Sequence, residues 1–291
     1  MTRSHSAAVI DTPTAQTRLI ALLGNPVGHS ISPRVQNAAF QHAGVDGVYL
    51  ALRCDTQDVP GLLRGIAWAG GGGNVTVPHK LVAAGAVDRG TEAVVRTGAC
   101  NTYWREGGEV CGDNTDVIGS ARCIEAVLGR SAAGARVLLV GGGGGASAAL
   151  AALSDQGAEE VVLLNRTEER ARQLAARFAD TSMKLHVITA ESGLPDGTFD
   201  LAINATPLGL KAEDAPPLSE QSTARIGGAF DMTYRGGGTT WIRQVAEAGL
   251  PAVDGREMLL CKGVAAFERW WNVSAPVEAM RAALETTASA E

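Results

Sequence analysis

Residues 136–167 carry the densest chemical signal in the chain. The apolar run Val137–Val140 feeds into five glycines, Gly141–Gly145, followed by Ala146 and Ser147. Gly141, Gly143 and Ala146 fit the spacing G-x-G-x-x-[GA], in which minimal side chains let backbone N–H groups approach a pyrophosphate at a helix N-terminus. A glycine run alone is also what a flexible turn looks like. The flanks separate the two readings: a strand-length run precedes the loop, the helix-compatible Ala148–Leu153 follows it, and Val161–Leu164 supplies a second strand. The expected ligand is a nicotinamide dinucleotide. At the end of that second strand, a fold selective for NAD places Asp or Glu against the ribose 2′-hydroxyl. Here the residues are Asn165-Arg166-Thr167. No carboxylate repels a 2′-phosphate at that spot, and the Arg166 guanidinium offers a fork suited to one. Thr167 also reads as an N-cap before Glu168-Glu169-Arg170, which leaves Arg166 free. The expected cofactor is NADP.

The N-terminal part holds polar clusters that packing alone does not require. In Gly24–Pro33, Ser30 and Ser32 stand at a helix start. Capping accounts for Ser32 but not for Ser30, and a helix N-terminus carrying two hydroxyls suits a carboxylate. Lys80 lies just past a strand end, where ligand sites on α/β sheets form; an isolated lysine would simply be solvated. Gly112-Asp113-Asn114-Thr115-Asp116 is an equally dense loop, readable as an Asx turn or as a cap for a helix from Ile118. Asp116 stands at its junction, facing the dinucleotide loop.

To position these groups the chain must alternate strands and helices. Strands are expected at Arg18–Leu23, Val48–Arg53 and Asn74–Val77, with Gly70–Gly73 as punctuation before the last. Helices are expected from a Ser32 N-cap and Pro33 through Ala43, and at Val59–Ala67. Asn101–Trp104 and Glu109–Cys111 read as a hairpin, and Ile118–Leu128 as a helix leaving this first unit. Strands Val137–Val140, Val161–Leu164, Leu185–Ile188, Phe199–Asn204 and Ala229–Met232 then alternate with helices Ala146–Ser154, Glu168–Ala179 and Thr239–Ala248. Helices Arg256–Trp271 and Ala275–Leu284 form the tail. Right-handed βαβ crossovers imply two parallel or mostly parallel sheets.

Composition agrees with an intracellular α/β enzyme. A length of 291 residues predicts one large or two ordinary domains, and 45% hydrophobic content is enough to build their cores. A net charge of −6 argues against a nucleic-acid partner, which would need a basic stripe. Cys54, Cys100, Cys111, Cys123 and Cys261 are scattered, odd in number and without a C-x-x-C pair, as expected of reduced thiols and not of a disulfide scaffold or zinc site. The polar tail Met1–Gln16 lacks the apolar core of a signal peptide, and no run of about 18 apolar residues is present. The expectation is a cytoplasmic protein without metal or membrane partner.

With these segments in hand, the chain resembles the shikimate dehydrogenase family from about residue 18 to residue 285. The resemblance rests on G-N-P-x-x-H-S-x-S-P from Gly24, N-V-T-x-P-x-K at Asn74–Lys80, G-A-x-N-T at Gly98–Thr102 and G-D-N-T-D at Gly112–Asp116. The glycine loop, Asn165-Arg166-Thr167, Ile203–Gly209, Asp231–Tyr234 and Asp254–Leu259 follow in the family's order. It implies a substrate domain of residues 1–116 and 256–291 around a Rossmann-type NADP domain of residues 117–255. It also implies reversible NADP-linked oxidation of shikimate to 3-dehydroshikimate by a monomer or homodimer. Ser30 and Ser32 would then hold the substrate carboxylate with help from Thr76. Asn74, Asn101 and Asp116 would bind ring hydroxyls, with Tyr234 nearby. The cofactor would contact Gly141, Gly142, Gly143, Gly144, Gly145, Ala146, Asn165, Arg166, Thr167, Thr206, Met232 and Gly255. Lys80 would be catalytic, paired with Asp116 across the reacting hydroxyl. As an ammonium beside a carboxylate, Lys80 suits proton donation during ketone reduction.

Three positions depart from the family pattern. Gln36 replaces the usual His, Arg235-Gly236-Gly237-Gly238 replaces a loop that usually carries proline, and Lys262 replaces the substrate-binding Gln of the late helix. Lys262 adds a positive charge at or near the pocket. It is free to pair with Asp116, to reach a substrate carboxylate or an extra hydroxyl such as that of quinate, or to extend into solvent. Branches acting on quinate or on an amino analogue of shikimate are therefore alternatives, as is a catalytically silent NADP-binding sensor. A methylene-tetrahydrofolate-type dehydrogenase shares the two-domain layout but leaves Ser30, Ser32 and Gly112–Asp116 unexplained.

Overall fold

Two six-stranded sheets, each covered on both faces, make up the computed structural model, which describes residues 12–288; residues 1–11 of the polar tail lie outside the described residues. The first unit runs β1 (Arg18–Gly24), α1 (Ser32–Ala43), β2 (Gly47–Arg53), α2 (Val59–Trp68), β3 (Gly72–Val75), α3 (Lys80–Ala84), β4 (Arg89–Gly90), α4 (Glu92–Thr97), β5 (Thr102–Glu106) and β6 (Glu109–Asp113). Its strand order is β2-β1-β3-β5-β6-β4. β1 pairs in parallel with β2 and β3, whereas the β5–β6 hairpin adds antiparallel to β3, so this sheet is mixed.

Helix α5 (Asp116–Leu128) leads into β7 (Arg136–Val140), α6 (Gly144–Asp155), β8 (Glu160–Leu164), α7 (Glu168–Ala176), β9 (Lys184–Ile188), β10 (Leu201–Asn204), α8 (Glu220–Thr223), β11 (Ala229–Asp231), α9 (Thr240–Glu247) and β12 (Ala252–Val253). These strands are all parallel, in the order β12-β11-β10-β7-β8-β9. The order reverses between β7 and β10, which is where doubly wound sheets open a ligand crevice. Their near-continuous Val/Leu/Ile runs are what a sheet buried on both faces requires.

Two final helices, α10 (Gly255–Trp271) and α11 (Val277–Ala288), return to the first sheet. Phe267 and Trp270 of α10 and Met280 of α11 share one core with Ile20, Phe40 and Tyr49. Ala21, Leu23, Leu63, Tyr103 and Val110 fill the other face of that sheet. The second sheet packs Leu139 and Leu163 against α5 and α6 on one side, and Leu138 and Val162 against Trp241 and Val245 of α9 on the other. Among the described residues no helix is long and apolar enough to cross a membrane.

Several boundaries differ from the sequence expectation for identifiable reasons. Gly72 and Gly73 lie inside β3 instead of preceding it, and Val75 ends the strand. A Cβ on Gly73 would fall 1.9 Å from the Ala21 carbonyl oxygen and 2.6 Å from the Tyr103 hydroxyl, so this strand is glycine-rich because its neighbours leave no room. Ser32 is the first helical residue of α1 and not its N-cap; Ile31 holds that position without a side-chain bond. Helix α5 starts at Asp116, two residues earlier than expected, which puts the carboxylate in its first turn. Thr167 is the N-cap of α7, but its side chain makes no capping bond. Helices α3 and α4, five and six residues long, are too short to leave a periodic signal.

Candidate active site

Lys80 and Asp116 meet although they leave different elements. Ahead of α3, His79 is buried, its ring held between the Thr56 hydroxyl at 3.1 Å and the Cys54 carbonyl at 3.0 Å. Cys100 N–H donates to the Lys80 carbonyl at 2.9 Å, so the lysine backbone is tied on both sides. Asp116 opens α5, where the helix dipole favours an anion. Its side chain is 2% exposed, and Lys80 Nζ donates to Oδ2. Lys262 reaches in from α10, with Nζ 3.3 Å from Oδ1. Burial by itself would push this carboxyl up, but the two ammonium groups hold it well below the usual carboxylate range. Lys262 therefore forms the ion pair that the sequence left as one of three options.

A chain of polar contacts connects this cluster to the start of α1. The Ser30 hydroxyl accepts from Ser32 N–H at 3.3 Å, and the Ser32 side chain lies near the Tyr49 hydroxyl. Tyr49, fully buried, donates to Asn74 Oδ1 at 2.8 Å. Asn74 Nδ2 donates to the Asn101 carbonyl at 3.1 Å and to Thr102 Oγ1 at 3.0 Å. Asn101 Oδ1 accepts from Thr115 N–H at 2.8 Å and from the Thr102 and Thr115 hydroxyls at 2.8 and 3.1 Å. Thr115 is the N-cap residue of α5, immediately before Asp116. Asn74 and Asn101 thus spend much of their hydrogen-bonding capacity on the protein, fixing where Asp116 stands. Tyr49 and Thr102 were missed from sequence because strand-borne aromatics and threonines read as core, and Thr115 because a threonine in a polar loop reads as part of a turn or cap. Thr76 is half-buried, its N–H donating to the Leu23 carbonyl at 2.9 Å. Tyr234, on the loop after β11, packs against the core of the first sheet.

Between the two sheets lies a cleft of about 850 Å³ in which Lys80 faces the glycine loop. Gly141 has φ of +121°, a conformation that disfavours any side chain, and a Cβ on it would lie 2.9 Å from the Ala205 carbonyl oxygen. A Cβ on Gly142 would come 2.9 Å from the Asn165 side chain, and one on Gly145 2.9 Å from Met232 Sδ. Around Gly143 and Gly144 the space is open apart from Lys80 Cδ, 3.9 Å from a Cβ on Gly144. The loop is a cradle that other side chains would fill, at the N-terminus of α6. Asn165, Arg166, Thr167 and Thr206 line the same cleft. Ala146, Met232 and Gly255 do not. Ala146 is fully buried, Met232 packs against Gly145, and a Cβ on Gly255 would meet the Met232 carbonyl at 2.4 Å. Arg170 and Arg177 also line the cleft and were not anticipated, because arginines on an exposed helix face read as solvated. With Lys80 and Arg166 they set four cationic side chains against one lining carboxylate, Glu191, which is already bonded to Ser219. Cradle and charge fit a phosphorylated dinucleotide.

Comparison with known proteins agrees with this geometry. The family description "Shikimate dehydrogenase substrate binding domain" matches residues 22–103, and "Shikimate / quinate 5-dehydrogenase" matches residues 124–206. A shikimate dehydrogenase (NADP+) of Halobacterium salinarum is 39% identical over 264 residues, covering 90% of this chain and 97% of its own. A solved shikimate dehydrogenase in complex with NADP+ shares 28% identity and a TM-score of 0.83, covering 95% of this chain and 97% of its own. The ligand-free 5-ketofructose reductase of Gluconobacter sp. strain CHM43 shares 26% identity and a TM-score of 0.82, covering 94% and 99%. Glycine cradle, paired Lys80 and Asp116, and relatives matched along nearly their whole length lead to one conclusion: this chain belongs to the shikimate dehydrogenase family.

Proposed function

We propose that this chain is a cytoplasmic NADP-dependent dehydrogenase, a monomer or homodimer, that interconverts shikimate and 3-dehydroshikimate. The carrying observation is Lys80, which pairs with Asp116 and lines a glycine-cradled cleft. The free state of all five cysteines fits a reducing compartment. We divide the chain into a substrate domain, residues 1–116 and 256–291, and an NADP domain, residues 117–255. This division follows the return of α10 and α11 to the first sheet.

NADP, when bound, would supply the acceptor or donor of the hydride. The protein supplies the rest. Gly141–Gly145 and the N-terminus of α6 would hold the pyrophosphate, and Arg166, beside Asn165 and Thr167, the 2′-phosphate. Ser30, Ser32 and Thr76 would bind the substrate carboxylate, and Tyr234 would stand near the ring hydroxyls. Asn74, Asn101 and Asp116 would orient ring hydroxyls. Loss of hydride from a secondary alcohol requires the O–H proton to leave, and its return to the ketone requires a proton to arrive. Lys80 would donate that proton to the carbonyl oxygen in reduction and accept it in oxidation. Asp116 would hold both the ammonium and the reacting hydroxyl in register.

The test is initial-rate NADP reduction by the purified chain over shikimate, quinate and amine-bearing analogues, with folate substrates as controls. Turnover of shikimate with higher kcat/KM than the others is expected. Cofactor binding without turnover of any of these substrates would instead indicate a silent NADP-binding sensor.

A further inference from the structure

Asp116 presents its two oxygens to two ammonium groups, Lys80 at Oδ2 and Lys262 at 3.3 Å from Oδ1. Oδ1 makes no hydrogen bond of good geometry, so the Lys262 contact is charge attraction and the oxygen keeps capacity to accept. The base of Lys262 is held in place. Helices α5 and α10 approach so closely that a Cβ on Gly119 would lie 3.0 Å from Met258 Cγ and 3.5 Å from Lys262 Cβ. On its other side Gln36 Nε2 donates to the Gly263 carbonyl at 3.0 Å, from a side chain that is itself buried. Gln36 thereby ties α10 to α1, the helix that starts at Ser32. The Lys262 side chain is 31% exposed, so its head group stands between the buried carboxylate and solvent.

We propose that Lys262 is a specificity-determining residue: as a second ammonium on Asp116, it makes the corner of the substrate pocket beside that carboxylate accept oxygen substituents and reject amines. The inference rests on the dehydrogenase reading above, in which Asp116 contacts the ring hydroxyls. A ring hydroxyl donates to Oδ1 and accepts from an ammonium N–H at the same time, so it fits between the two groups. A protonated amine has donors only. It would compete with Lys80 and Lys262 for one carboxylate and leave three positive charges around a single negative one. A glutamine in place of Lys262 would remove one cation and offer a carbonyl acceptor, relieving both penalties.

The experiment compares kcat/KM for shikimate and for analogues in which an amine replaces one ring hydroxyl that is not oxidised. It uses the wild-type chain, Lys262→Gln and Lys262→Met, with NADP affinity measured to report intact folding. Wild type is expected to prefer the hydroxyl substrate, and both variants to narrow that preference for at least one analogue by about tenfold or more. A ratio unchanged within about twofold across all analogues in both variants overturns the proposal while leaving the dehydrogenase reading intact. Absence of turnover for the whole panel by wild type overturns both. Should the variants lose NADP binding through misfolding, inhibition of wild-type turnover decides. Amine analogues that compete as tightly as their hydroxyl counterparts overturn the inference, and weak competition supports it.

Discussion

Replacing Lys80 by Met keeps a stem of similar length and removes only the ammonium. Asp116 then retains Lys262, 3.3 Å from Oδ1. With an effective dielectric of about 20, suited to a lysine that is partly exposed, that contact carries an attraction of about 5 kcal/mol. The carboxylate therefore stays ionised. The stability cost is about 1.5–3 kcal/mol, that of one charge-assisted hydrogen bond. The methionine stem preserves the contact near Gly144, where a Cβ would lie 3.9 Å from Lys80 Cδ, so NADP affinity should stay close to wild type. Turnover should suffer much more. Removing a positioned proton donor lowers the rate by about 10²–10⁴-fold, which is about 2.7–5.4 kcal/mol of barrier. The assay is saturating initial-rate NADP reduction with shikimate, alongside a cofactor-binding titration and a urea melt. A kcat within about threefold of wild type would show that Lys80 is a bystander, and a loss confined to KM would move it from chemistry to binding.

Two further outcomes follow from the same geometry. Arg166→Ala should weaken NADP by about 10–150-fold, the worth of a charge-assisted bond of about 1.5–3 kcal/mol, while NAD binding changes little. Equal losses for the two cofactors in a binding titration would remove Arg166 from the 2′-phosphate site. The Asp116 carboxyl is depressed in the folded chain, because Lys80 and Lys262 outweigh the opposing effect of burial. The folded state thus binds fewer protons there than the unfolded state. Its stabilising contribution is complete above the unfolded pKa of about 3.9 and is lost as pH falls below it. Asp116→Asn should accordingly flatten the acid limb of stability measured by urea midpoints, and a variant as acid-sensitive as wild type would contradict the assignment.

The glycine loop was readable because its constraint is local. Gly141 needs a positive φ, a demand that acts on the residue itself. The same holds for the parallel strands flanking it, whose apolar runs report burial on both faces. Gly72 and Gly73 were misread as punctuation for the opposite reason. What excludes their side chains is the Tyr103 carbonyl in one case and the Ala21 carbonyl and the Tyr103 hydroxyl in the other, all remote in sequence. Ser32 shows a related limit, since it is the first helical residue of α1 and not its cap.

The sequence by itself determined the fold class, the dinucleotide loop and the absence of an acid at Asn165–Thr167, while Lys80 and Asp116 were singled out together by the resemblance to the family. These rest on residue types and short spacings, which backbone geometry makes meaningful over a few residues. Only the tertiary structure decided that Lys262 pairs with Asp116, that Tyr49 is linked through Asn74 and Asn101 to Thr115 beside Asp116, and that Arg170 and Arg177 join the cleft. A lysine on a helix carries no local sign of its partner. Its charge is placed by the approach of α10 to α5 at Gly119, and that approach is set by packing between segments far apart in the chain.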